Sequence, residues 1–160
     1  DYKKIAKEEI EKIKNYLLSD KKSQEKEKIR INIADKMLEN SKMEMPEILV
    51  ESELKRIESQ FTDDINRMGV KLEDYLKHAK KTIEEIQKEW LPYAEKKAKL
   101  QLILNKISEL ENIIVDKKEI ATEVKHILEH YKNANAEHAY TYAETILTNE
   151  KIFQFLENQS

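Results

Sequence analysis

The sequence is short of almost everything that makes turns, bridges or pockets. It has no cysteine, so a disulfide framework and a thiolate metal site are both unavailable. It has one glycine, Gly69, and two prolines, Pro46 and Pro92. That is too little turn chemistry to connect the strands of a sheet, and a glycine-rich phosphate loop is out of reach. Neither sign of charge dominates. The 29 basic and 32 acidic residues leave a net charge of −3, and pairs such as Lys21-Lys22 and Lys96-Lys97 have acids nearby. A nucleic-acid partner would need a one-sided basic stripe, so none is expected. No apolar run approaches the ~20 residues that span a bilayer, so no membrane partner is expected either. No apolar stretch follows Asp1-Tyr2-Lys3-Lys4, which argues against a signal peptide. With the missing cysteine, this fits a cytoplasmic protein. The chain does not open with methionine, which fits an excised fragment.

What is present is helical. Lys, Glu, Leu, Ala, Ile and Gln, which favour helix interiors, dominate. Hydrophobic residues make up 39% and charged residues 38%. That is too apolar for disorder and too charged for one compact ball. The expected fold class is all-α, an elongated helical body with helical hairpins, with roughly three quarters or more of the chain in helix.

From Tyr2 to about Asn40, Ile5, Ile10, Ile13, Leu17, Ile29, Ile33 and Met37 recur at helical spacing. Ser19 to Lys28 is wholly polar, but no glycine or proline interrupts it, so one long helix is expected. Pro46 suits the start of the next helix. Val50, Leu54, Ile57, Phe61, Ile65 and Met68 then form a seam on one face, and Gly69 stands where a C-terminal cap belongs. A short helix over Leu72–Ala79, with Tyr75 and Leu76 on its apolar side, forms a tip. Thr82 and Glu85 make a capping box for a helix reaching about Asn112 and running antiparallel to the Pro46 helix. Pro92 lies inside it and should kink it. Leu100 to Leu104 is apolar on more than one face, which places it at a junction. Asp116, with Glu119 three residues on, resembles another cap. A polar turn, Lys132 to Asn135, leads to Tyr140, Ala143, Ile146 and Leu147. Thr148-Asn149 then precedes a last amphipathic piece with Ile152, Phe153, Phe155 and Leu156.

Candidate chemistry is sparse. His126 and His130 share a helix face, but two histidines make no catalytic zinc site, and the intervening residues are not those of a metalloprotease helix. No carboxylate pair has divergent surroundings, so no acid or base is assigned. No catalytic residue, metal site or cofactor is expected. The aromatic residues carry more. Ile57, Phe61 and Trp90 sit on seams and should be core. Met68 closes its seam near the first tip, and Tyr75, Tyr131, Tyr140, Phe153 and Phe155 are not consumed by the seams. They are the candidate polypeptide-binding residues, since exposed apolar patches mark interaction sites.

Several stretches, in order, resemble one family. Met45-Pro46-Glu47-Ile48-Leu49-Val50-Glu51-Ser52-Glu53-Leu54 is similar to the opening of the bacterial trigger factor C-terminal domain. Leu72-Glu73-Asp74-Tyr75-Leu76 with Lys81-Thr82-Ile83-Glu84-Glu85 resembles that family's arm tip. Ala94 to Leu104 with Ile107, Val115 to Ile120, and Leu147 to Glu157 resemble its later helices. Together they cover residues 45 to 157, while residues 2 to 44 resemble the preceding linker helix more weakly. The resemblance implies a body with two antiparallel hairpin arms: 1–44 as linker and body helix, 45–104 as first arm, 105–147 as second arm, and 148–160 as a C-terminal helix on the body. It implies a chaperone that holds unfolded or nascent polypeptides without ATP. The family's ribosome-binding and prolyl isomerase domains are not in this chain, so a ribosome would be met only through the former. No enzyme activity is expected of the chain itself, and a homodimer is compatible with the pattern. The alternative is a coiled-coil-type interaction module with one defined partner.

Overall fold

A computed structural model describes residues 2–131 and 134–159; for residues 2–6 and 8 it describes the backbone alone. Ile5 as a seam side chain, and Lys132 in the polar turn, therefore lie outside the described residues. The chain is all-α: 84% of the described residues are helical and none is in a strand. The elements are α1 (Tyr2–Asn40), α2 (Glu47–Arg67), α3 (Leu72–Ala79), α4 (Ile83–Leu110), α5 (Lys117–His130) and α6 (Ala136–Glu157).

Two compact units result. One comprises 1–36 with 115–160, and the other Met37–Ile114.

In the second unit α2 packs on α4. Glu58 accepts from Gln87 at 2.7 Å, Glu53 pairs with Lys97 at 3.2 Å, and Phe61 meets Trp90. Glu53, early in α2, meets the later Lys97 of α4, while Glu58 and Phe61 meet the earlier Gln87 and Trp90, so the pair is antiparallel. Val50 and Ile65 of α2 and Ile86, Ala94, Ala98 and Leu104 of α4 are buried. The alanines sit one turn apart and let the two backbones approach closely. Thr82 and Glu85 close the capping box: the Glu85 N–H donates to Thr82 Oγ1 at 3.3 Å and the Thr82 N–H to Glu85 Oε2 at 2.8 Å. Gly69 has φ +75°, the left-handed conformation that glycine tolerates. The last carbonyls of α1, left without helical partners, are met by Lys99 of α4, whose Nζ donates to the Leu38 and Ser41 carbonyls at 2.9 and 2.7 Å. Helix α4 is continuous through Pro92.

In the first unit α5 packs on α6 around Val115, Ile120 and Ala143, with Val124, Ile127 and Leu147 against them. Asp116 Oδ1 caps α5 by accepting from the Lys118 N–H at 2.7 Å. The Glu119 carboxylate pairs with Lys151 at 2.9 Å, so it ties α5 to α6. Asn135 Oδ1 accepts from the Glu137 and His138 N–H groups at 2.8 and 3.1 Å and starts α6.

Helix α6 differs from the expected break at Thr148-Asn149: it runs unbroken to Glu157. Neither residue is a strong breaker. The buried side of α6, Ala143 and then Ile152, spans the site and keeps the helix in register.

Candidate polypeptide-binding surfaces

The end of the α2–α4 hairpin carries two of the six candidate residues. Met68 follows the last residue of α2 as its C-cap and is 71% exposed. It ends the seam series by spacing, but the chain leaves the helix there and the side chain misses α4. Tyr75 of α3 is held edge-on against Phe61, with ring centroids 5.3 Å apart. Phe61 in turn meets Trp90 at 5.0 Å. Edge-to-face geometry of this kind adds to simple area burial. It fixes the Tyr75 ring while leaving 39% of the residue exposed. Val70 between them is also exposed. The ion pairs here are all near the surface: Arg67–Asp64 at 3.9 Å, Lys77–Asp74 at 3.8 Å and Lys81–Glu89 at 2.5 Å. The hydrogen bond that Lys81 donates to Glu89 raises its ammonium above its ordinary range.

The α5–α6 hairpin carries the other four. Tyr131, the C-cap of α5, and Tyr140, in the first turns of α6, are both exposed. Tyr142 and Ile146 of α6 are exposed as well. Tyr142 is not among the six candidates, though it stands two residues from Tyr140. His126 and His130 are exposed, with His126 Nδ1 3.9 Å from Glu123.

Phe153 and Phe155 are half-buried. Above Phe153 lies a device that hydrophobic spacing did not disclose. The Arg30 guanidinium of α1 sits 5.5 Å from the ring centroid. Its Nη1 and Nη2 donate to the two oxygens of Glu150 at 2.5 and 2.8 Å, and its Nε donates to Glu157. Lys26 adds longer contacts to both carboxylates at 3.7 and 3.8 Å. Glu150, Phe153 and Glu157 lie at i, i+3 and i+7, one face of α6. The Arg30 hydrogen bonds pull the Glu150 carboxyl down to about 2, and the Glu150 and Glu157 hydrogen bonds push the guanidinium above its ordinary range. The readable signal was an arginine in a helix otherwise served by lysines. Its planar fork matches carboxylates in a way an ammonium does not.

Every described side chain from 7 to 29 of α1 is exposed. Ile10, Ile13 and Leu17 form an apolar line on one side of it, each more than half exposed. No described helix is long and apolar enough to cross a membrane.

A model of the C-terminus of the bacterial trigger factor protein matches residues 7–158. The chain belongs to that family. The trigger factor of Carboxydothermus hydrogenoformans is 30% identical over 122 residues, covering 76% of this chain and 29% of that protein. That of Halothermothrix orenii is 35% identical over 115 residues, 72% of this chain and 27% of the relative. That of Onion yellows phytoplasma is 27% identical over 127 residues, 77% and 30%. The chain thus spans less than a third of the length of these trigger factors. No solved structure matches it.

Proposed function

We propose that this trigger factor C-terminal chain is a chaperone domain that holds unfolded or nascent polypeptides without ATP. The observation that carries the reading is the set of exposed side chains on both hairpins, Met68 and Tyr75 on one and Tyr131 and Tyr140 on the other. They stand within helices or at helix ends in a chain of this family. Many weak apolar contacts give breadth of specificity, and linkage through one chain gives them useful avidity. The mixed charge between the patches keeps the loaded complex soluble. Catalysis is not part of the reading: the chain should leave prolyl isomerisation at its slow uncatalysed rate, tens of seconds or longer per event, in a protease-coupled peptide assay. The direct test is suppression of aggregation of a chemically unfolded protein without nucleotide. Suppression at near-stoichiometric chain is expected. No suppression in large excess, with no binding of the unfolded protein, removes the reading.

The line Ile10, Ile13 and Leu17 on α1 favours a second reading, a helical interaction module with one defined partner. A single saturable stoichiometry with one folded protein, and none with unfolded chains, would mark it.

A further inference from the structure

We infer that Lys26, Arg30, Glu150 and Glu157 form a latch: the cluster holds α1 on α6 by charge, and breaking it lets α1 lift while the α5–α6 hairpin stays closed. The inference goes beyond the polypeptide-holding reading and requires no client. Two interfaces within one unit differ in what holds them. Helix α5 packs on α6 around Val115, Ile120 and Ala143, with Val124, Ile127 and Leu147 against them. Ionic screening does not weaken apolar burial, and some salts strengthen it. Helix α1 meets α6 through charge instead. Arg30 donates to both oxygens of Glu150 and, through Nε, to Glu157. Lys26, one turn earlier, reaches the same two carboxylates at longer range. The Phe153 ring lies under the guanidinium, a contact that also depends on the cation.

The cluster sits where α1 leaves solvent. Every described side chain from 7 to 29 is exposed, Arg30 is the first to be partly buried, and Ala34, one turn further on, is buried. The exposed stretch from 7 to 29 is about 35 Å of helix. A load on an arm of that length falls on its first point of attachment before it reaches Ala34. That attachment is partly wet: the side chains of Arg30, Glu150 and Glu157 are 21%, 40% and 18% exposed, and that of Lys26 is 48% exposed. Water and small ions therefore reach the charges. The screening length falls from about 10 Å at 0.1 M salt to about 3 Å at 1 M, so ionic strength opens this interface and spares the apolar one.

The chain has no cysteine, so single introduced thiols report on each interface. Ala34→Cys places one on the buried side of α1, and Ala143→Cys places one in the α5–α6 core, where Ala143 is fully buried. Each is labelled with a neutral thiol reagent in the 160-residue chain, with circular dichroism checking that the helices are intact. In about 0.1 M salt both thiols are expected to react slowly. Arg30→Gln, and separately Glu150→Gln with Glu157→Gln, are expected to speed labelling at position 34 at least about tenfold and to leave position 143 within about twofold, since labelling tracks local opening. About 1 M salt is expected to act with the same selectivity on the intact latch, and to add nothing at position 34 once Arg30 is replaced. Salt requires no substitution in the latch, so the test stands even where a latch variant unfolds. Equal acceleration at the two positions makes Arg30 a general stabiliser of the unit and overturns the inference. Labelling at position 34 that is unmoved by the variants, or that is unmoved or slowed by salt, overturns it too. So does a thiol at position 34 that already reacts fast in the unaltered latch, because α1 is then not held there.

Discussion

Ile65 and Met68 are three residues apart on one helix, and their environments are opposite: 2% against 71% exposed. The difference is backbone. Ile65 is inside α2 and faces α4, whereas at Met68 the helix ends and Gly69 turns the chain away. Truncating Ile65 to alanine leaves a cavity between two packed helices and should cost about 2–5 kcal/mol. Met68→Ser removes no packed contact and should lie within about 0.5 kcal/mol of wild type. Urea unfolding followed by circular dichroism measures both, and similar losses at the two positions would mean that Met68 is packed in solution. The hydrophobic spacing put both residues in one series. Periodicity reports a helix face, and it cannot report where the helix stops presenting that face to a partner. Tyr75 illustrates the converse: its place beside an apolar helix face was readable, but its edge contact with Phe61 needed the fold.

At the scale of elements, two of the helix starts with side-chain caps were legible because capping is local chemistry, whereas the Asn135 cap of α6 was read only as the end of a polar turn. The Thr82–Glu85 box and the Asp116 cap both form within a few residues. Thr82→Ala should destabilise the chain by about 1 kcal/mol, seen as a lower urea midpoint. A Thr82→Ser variant should keep most of that stability. The continuity of α6 was not legible, because burial of Ile152 across a weak Thr-Asn boundary is a tertiary effect. Nor was the link from α1 to α6 through Arg30, whose partners lie 120 and 127 positions away in sequence. That link predicts a pH dependence. Glu150 has its folded carboxyl depressed from 4.5 to about 2. Its contribution is therefore fully present above about pH 4.5, and it is lost as pH falls through 2. The Glu150 side chain is 40% exposed, so solvent screening keeps its share near the low end, about 1 kcal/mol. Arg30→Met should cost about 1.5–3 kcal/mol at pH 7, since Glu157 loses its charge-assisted partner as well. It should also flatten the change in urea midpoint between pH 4.5 and 2.5. A variant as acid-sensitive as wild type across that window would show that the Glu150 shift has another source.

Across the whole molecule, the same six candidate residues now divide by what holds them, and that division sets the decisive measurement. Met68, Tyr131 and Tyr140 are exposed, and Tyr75 is exposed but braced; Phe153 and Phe155 are half-buried, with Arg30 over the former. Fully covering an apolar side chain is worth about 1.5–3 kcal/mol, and less for surfaces already partly covered. Serine at Met68, Tyr131 and Tyr140 together should therefore leave the melting temperature within a few degrees of wild type. If these residues hold client, the triple variant should lose most of its suppression of aggregation, while each single variant loses little, because many weak contacts share the load. Serine at Phe153 and Phe155 should lower melting clearly, so any loss of holding there must be read at a temperature where the variant remains folded, checked by its circular dichroism. A triple variant that melts early would make those three residues structural. One that keeps both its melting temperature and its full holding activity would move the binding surface elsewhere, and the exposed line Ile10, Ile13 and Leu17 on α1 would be the next to change.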